Sequence, residues 1–321
     1  MNNLISWYNQ NRKGFWGIIV AAFVIILIAW RLMYIVSNRT INDNTNLSQT
    51  SQVDTSNLNS ITLSSDKSAI TGKRTTIDKS DIETIDKFFS FCNSGNIKEA
   101  YNLISNECKE EMFSEIKIFQ EVYINPVFGN GKRNISVENW TGKIYMVTLY
   151  EDFLATGRYS DNNNLQDYVT VVKDNEGNTK LNINNYVGRK KYDKIATSEG
   201  IEIKLLKNDV YMDYEKYTFE IKNNSNYTAL LGNIQDEENV SYLVDKNNLK
   251  YNAYVHELSY PQMEILGKQV KTITIKYFSE YSSTKRLKSL AFPKVYLNYE
   301  LYNNFENKNN YTKYGTIVFE L

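Results

Sequence analysis

The strongest constraint on this chain is the run from Phe15 to Trp30, which holds no polar side chain and continues past Arg31 through Leu32, Met33, Tyr34, Ile35 and Val36. As a helix, residues 15–36 rise about 33 Å, enough to cross a hydrocarbon core about 30 Å thick. Phe15 and Trp16 stand at one interface, Trp30 and Tyr34 at the other, and Arg31 has the reach to snorkel outward. The run predicts an uncleaved, single-pass transmembrane helix. A cleaved signal peptide is the competing reading, since Arg12 and Lys13 precede the apolar stretch, but Ile35-Val36-Ser37-Asn38 offers no small-x-small site.

Flanking charge is nearly balanced, so orientation rests on the absence of Lys and Arg from residues 40–66 and on the size of the region that follows. The expectation is a cytoplasmic tail at 1–14 and an extracellular bulk. Residues 37–79 are mostly Asn, Ser, Thr, Asp and Gln without a period, and predict a flexible linker. Beyond it, 42% hydrophobic residues supply core material, and a chain of 321 residues suits two domains. Lys plus Arg and Asp plus Glu are each 37, which removes the gross electrostatic case for direct nucleic-acid binding.

Helical order is predicted from Ser80-Asp81-Ile82-Glu83, a capping box, with Ile82, Ile85, Phe88, Phe89 and Cys92 on one face and a stop at Asn93-Ser94-Gly95. Ile97, Ala100, Tyr101 and Ile104 form a second face. After a break at Ser105-Asn106, Met112, Phe113, Ile116, Phe119 and Val122 form a third, ended by Asn125-Pro126. The period then changes. Residues 144–150 read as a central strand, while 166–173 and 180–186 flank the hairpin turn Asp174-Asn175-Glu176-Gly177. Helices followed by antiparallel strands predict an α+β domain over 80–191.

This order resembles the nuclear-transport-factor-two-like cone. The phrases Gln166-Asp167-Tyr168-Val169-Thr170-Val171-Val172 and Lys180-Leu181-Asn182-Ile183-Asn184-Asn185-Tyr186-Val187-Gly188 look like the last hairpin of extracytoplasmic members in Gram-positive bacteria. A short tail, one span, a tether and an outer cone are also similar in layout to the VirB-type and TcpC-like assembly proteins of conjugation. The resemblance implies a binding or assembly role. Where those relatives repeat a second cone, this chain shows β-strand patterns.

From Ser198 to Leu321 a period of two recurs: Ile201, Ile203, Leu205; Tyr217, Phe219, Ile221; Ile273, Ile275, Tyr277; Val295, Leu297, Tyr299, Leu301; Ile317, Phe319, Leu321. One-faced antiparallel strands of this kind predict an all-β sandwich over 198–321, immunoglobulin-like in architecture. The expected fold class is thus a membrane-anchored α+β chain with a cone domain and a C-terminal sandwich.

Candidate chemistry is sparse, and neither a metal site nor a cofactor is expected. His256 is the one histidine, and two cysteines are too few for a zinc site. Cys92 and Cys108 are either a disulfide, worth about 3 kcal/mol by loop entropy, or separate core thiols. Gly129-Asn130-Gly131-Lys132 lacks the spacing of a phosphate loop and reads as a turn. Glu151 and Asp152, adjacent on a strand, point to opposite faces, so at most one enters a cone cavity, with Tyr101, Tyr123 and Tyr145 as neighbours. The alternative is a polar rim.

The 25 tyrosines, concentrated beyond residue 192, are candidates for an aromatic interaction surface. The expected function is a non-enzymatic, membrane-anchored extracytoplasmic scaffold or assembly protein with protein partners. A module binding a cell-wall polymer or other ligand, and a small-molecule enzyme using the cone cavity, are the alternatives. If residues 15–36 anchor the chain, the full-length protein stays with membranes through a carbonate wash. Release of a form beginning near Ser37 would show a cleaved signal instead.

Overall fold

The computed structural model describes residues 78–151 and 164–321, all of them within one unit, Asn59–Leu321. The expected transmembrane helix at 15–36, with Phe15, Trp16, Trp30, Arg31 and Tyr34, lies outside the described residues, as does the linker up to residue 77. The first helix, α1 (Lys79–Asn93), is capped by Asp78, whose carboxylate accepts from the Ser80 amide at 3.0 Å and the Ser80 hydroxyl at 2.8 Å. The cap therefore falls on Asp78 and not on Ser80, since an anion is favoured at the helix's positive end. Ile82, Ile85, Phe88, Phe89 and Cys92 are buried, and Gly95 leaves the helix at a φ of 75°.

Next come α2 (Ile97–Leu103) and α3 (Asn106–Met112), which begins where the Ser105 hydroxyl accepts from the Cys108 amide at 3.1 Å. The short α4 (Ile116–Phe119) runs into a π turn over Gln120–Ile124 and then α5 (Asn125–Phe128). Asn125-Pro126 does not end the helical path as expected: α5 continues directly from the π turn, with Pro126 near its start. Through the π turn, Tyr123 and Ile124 face inward, while Ile116 and Val122 of the expected stripe are exposed.

These helices share a core with an antiparallel sheet in the order β1 (Arg133–Thr141), β2 (Ile144–Glu151), β3 (Leu165–Lys173) and β4 (Thr179–Asn182). Val137, Tyr145, Val147, Leu149, Val169 and Leu181 supply its inner face. In the β3–β4 turn, Asp174 Oδ1 accepts from the Glu176 and Asn178 amides, and Gly177 takes the left-handed φ of 84°.

The strand expected to run through Tyr186 breaks after Asn182. Asn184 and Asn185 are both left-handed, with φ of 58° and 63°, and their amides converge on the buried carboxylate of Asp167 at 3.1 and 3.0 Å. Asp167 also accepts from the Tyr123 hydroxyl at 2.7 Å. Consecutive left-handed amides make an anion-binding concavity, here filled by the chain's own carboxylate. The chain leaves this turn as β5 (Tyr186–Ser198), which pairs with β6 (Ile201–Tyr211) and so spans residues 192–197 as a strand.

A second sheet has the order β12 (Val270–Tyr277), β7 (Glu215–Asn223), β6, β5. A third contains β8 (Ala229–Leu230), β9 (Tyr242–Asp245), β10 (Lys250–Asn252), β11 (Glu264–Ile265), β13 (Leu287–Tyr296) and β14 (Tyr314–Glu320), with β13 pairing β8, β9 and β14. The second and third sheets share one core: Ile203, Leu205 and Ile275 come from one, Leu243, Leu290 and Ile317 from the other. The Phe219 and Phe292 rings meet edge to face at 5.2 Å between centroids. The alternation expected through Leu301 stops at Tyr296. Asn298 accepts from the Leu301 amide at 2.9 Å and caps the short helix at Tyr299–Asn303, so Leu301 is exposed and Tyr302 buried.

The expected fold class is corrected accordingly. The described residues are strand-dominated, with fourteen strands against helices of fifteen residues or fewer, and no helix among them is long and apolar enough to cross a membrane. Asn and Asp turns cut the sequence into short β-branched and aromatic runs, which form ladders more readily than long helices. Asp167→Ala leaves three inward-facing donors without their acceptor, and is expected to lower unfolding free energy by about 3 kcal/mol or more. A shifted urea midpoint at unchanged slope is the readout; an unshifted midpoint would show the turn holds without this pin.

Candidate functional site

The residues expected to line a cone cavity are committed to separate structural bonds. Tyr101 Oη donates to the Phe113 carbonyl at 2.7 Å, Tyr123 Oη to Asp167, and Tyr145 Oη to Asp81 Oδ2 at 2.6 Å. The Asp81 oxygen also accepts from Lys143 Nζ at 2.8 Å. The Tyr101 and Tyr123 ring centroids each lie 5.8 Å from that of Phe119, so both rings pack on it. Glu151 closes β2 with a carboxylate oxygen 3.7 Å from the Arg133 guanidinium, and Asp152 lies outside the described residues.

Burial pushes Asp167 above the usual carboxylate range against the hydrogen bonds it accepts, and pushes Tyr123 well above its ordinary value. Cys92 and Cys108 are free, buried thiols, the latter pushed up to about 12 by burial. Both belong to the core shared by the helices and the first sheet. His256 is exposed in a short 3-10 turn, Val255–Glu257.

An open cleft of about 610 Å³ lies instead among the β9–β10 segment, the β6–β7 turn and the β12–β13 loop. Its shape starts from the turn after β9, where Asp245 Oδ1 accepts from the Asn247 and Leu249 amides at 2.8 and 2.9 Å. That turn puts Leu249 on the rim and leads into Tyr251. Tyr254 and Phe278 stack in the wall, and Leu249 and Phe278 remain 56% and 51% exposed. At the floor, Lys285 Nζ donates to Glu215 Oε1 at 2.9 Å, to Ser279 Oγ at 2.6 Å and to the Glu280 carbonyl at 2.6 Å.

Glu215 is buried and has three further donors: Asn208 Nδ2 at 2.8 Å, Tyr217 Oη at 3.0 Å and Ser279 Oγ at 2.9 Å. A buried ion pair with every lone pair engaged fixes geometry more than it adds stability. Two rim carboxylates, Asp213 and Glu280, are exposed and make no side-chain hydrogen bond or ion pair among the described residues. Aromatic walls, an ion-paired floor and unspent carboxylates are the features of a candidate binding surface. The tyrosine bias beyond residue 192 was the one sequence signal for it. Lys285 and Glu215 had none, since their pairing is fixed by the sheet.

Asp209 and Arg189 hold this part of the molecule to the helices. Arg189 Nε lies 2.6 Å from Asp209 Oδ1, its Nη1 2.7 Å from Glu110 and its Nη2 3.4 Å from Glu111. Asp209 also accepts from Lys207 Nζ and Tyr186 Oη, each at 2.8 Å. Burial alone raises a carboxylate, but the hydrogen bonds from Arg189, Lys207 and Tyr186 outweigh it and hold Asp209 below its ordinary range.

No family model, no curated protein and no solved structure matches the chain.

A folded-state pKa below the unfolded one gives stability that is present above the unfolded carboxylate value, about 3.9, and is lost as pH falls through the lower folded value. Acid unfolding below about pH 4 is therefore expected to be shallower in Asp209→Asn than in the parent chain. Identical acid branches in urea titrations at several pH values would remove Asp209 from the acid response.

Proposed function

We propose that this chain is a non-catalytic binding and assembly protein of the cell envelope, working outside the membrane and recruiting a protein partner. The observation that carries this reading is the cleft between Tyr251, Tyr254 and Phe278, open, aromatic-walled and rigid-floored. Partly exposed aromatic residues in a preformed hollow are favourable anchors for a partner, since they bury much apolar area for little ordering entropy.

Two further features support it. The candidate acid-base groups of the α/β layer are tied up: three tyrosine hydroxyls serve Phe113, Asp167 and Asp81. Proton transfer to a substrate needs a group free to reach it. The sequence order of an apolar run, a polar stretch and a folded region also suits a protein tethered to a membrane, in the layout that resembles conjugation assembly proteins.

Crosslinking and recovery of the full-length chain from membranes tests the reading. A partner recovered with the parent chain is expected to be lost with Phe278→Asp, which sets a charge in the cleft wall, and retained with Glu151→Gln. Loss of biological function in Glu151→Gln, with partner recovery intact, would contradict a non-catalytic role.

A further inference from the structure

We infer that the cleft receives a cationic side chain, Lys or Arg, presented by a protein partner. The inference rests on the binding role proposed above and specifies the chemistry of the occupant. Its first support is charge. Asp213, Asp245 and Glu280 line the cleft and Glu215 lies beneath it, whereas Lys285 is the one cation of the lining. The Lys285 charge is already matched by Glu215 at 2.9 Å, and its other donors go to Ser279 and the Glu280 carbonyl. Asp245 is partly spent on the turn amides and on Tyr251 Oη at 3.3 Å. The unspent groups, Asp213 and Glu280, are both negative. An anionic occupant meets repulsion there, and a cation meets two acceptors.

The second support is the behaviour of the rings. Lys276 Nζ lies 4.3 Å from the Tyr254 ring centroid, and Lys285 Nζ lies 5.4 Å from that of Tyr251. Lys276 stands outside the lining and is paired with Glu257 at 2.8 Å, so Lys285 is the chain's own ammonium group against a cleft wall, as the negative face of an aromatic ring favours. The third support is shape. Leu249 and Phe278 offer apolar surface at the mouth, suited to the methylene stem of a long basic side chain whose head reaches the carboxylates. A volume of about 610 Å³ holds such a side chain together with neighbouring backbone.

The test is a binding titration of the full-length chain with three probes: an arginine-rich peptide, a glutamate-rich peptide of equal length, and a neutral N-acetylglucosamine oligomer. The arginine-rich peptide is expected to bind tightest and to weaken as salt is raised. The double variant Asp213→Asn/Glu280→Gln should weaken it about tenfold or more. Glu83→Gln, an exposed change on α1, should leave it unchanged. Both cleft side chains are exposed, so an unaltered melting curve is expected to accompany the loss. Equal binding by the double variant, or no binding of the arginine-rich peptide, would overturn the inference. Tightest binding by the neutral oligomer would overturn the cationic occupant while leaving the cleft as a binding site, which separates this failure from failure of the proposed function.

Discussion

Arg189 is a guanidinium almost wholly removed from water, and the arrangement of the remaining structure follows from the carboxylates that keep it there. It projects from β5, the strand that begins against the α/β layer and ends in the second sheet. Glu110 and Glu111 approach it from α3, and Asp209 from β6. Glu111 is shared further with Tyr211, Lys207 and Lys216. Buried charges of this kind tolerate little displacement, because a guanidinium that loses its carboxylates keeps the full cost of desolvation. The helices and the β-rich region are therefore registered against each other through one strand.

The turn between β6 and β7 carries that registration to the cleft. Met212 donates its amide to the Asn185 carbonyl at 2.9 Å and accepts the Tyr281 amide at 2.7 Å. One residue thus bonds both to the left-handed pair that Asp167 holds and to the loop that forms the cleft wall. Asp213 follows it on the rim, and Glu215 begins β7 beneath Lys285. The site is built on element ends and short loops, but each loop is tied to a strand by a buried polar group. Such support preorganises a binding surface and reduces the ordering cost of association.

Much of the element pattern was legible because burial imposes a period. Ile82, Ile85, Phe88 and Phe89 mark a helix face, and Tyr217, Phe219 and Ile221 a strand face, whatever surrounds them. The misread positions are those where one polar contact overrides a period. Asn184 and Asn185 looked like strand residues until Asp167 drew their amides inward, and Tyr299 and Leu301 alternated correctly for a strand that the Asn298 cap turned into a helix. Tyr101, Tyr123 and Tyr145 were marked as neighbours in a cone cavity, but sequence does not say that each hydroxyl already has its own acceptor. The cleft was illegible for another reason: Asp213, Tyr254 and the Phe278–Lys285 stretch belong to three separate connections, and only the pairing of β7 with β12 and of β9 with β10 and β13 assembles them.

The helical layer and the β-rich region are joined through the buried contacts of Arg189. Scanning calorimetry of the parent chain beside Arg189→Met tests that joining most directly. The helical layer and the β-rich region of the parent are expected to unfold in one cooperative transition, with calorimetric and van't Hoff enthalpies in agreement. Arg189→Met, which takes the guanidinium from Asp209 and Glu111 and leaves them only lysine and tyrosine donors, is expected to lower the melting temperature and resolve two transitions. Two independent transitions in the parent chain, or a variant that melts as the parent does, would contradict it.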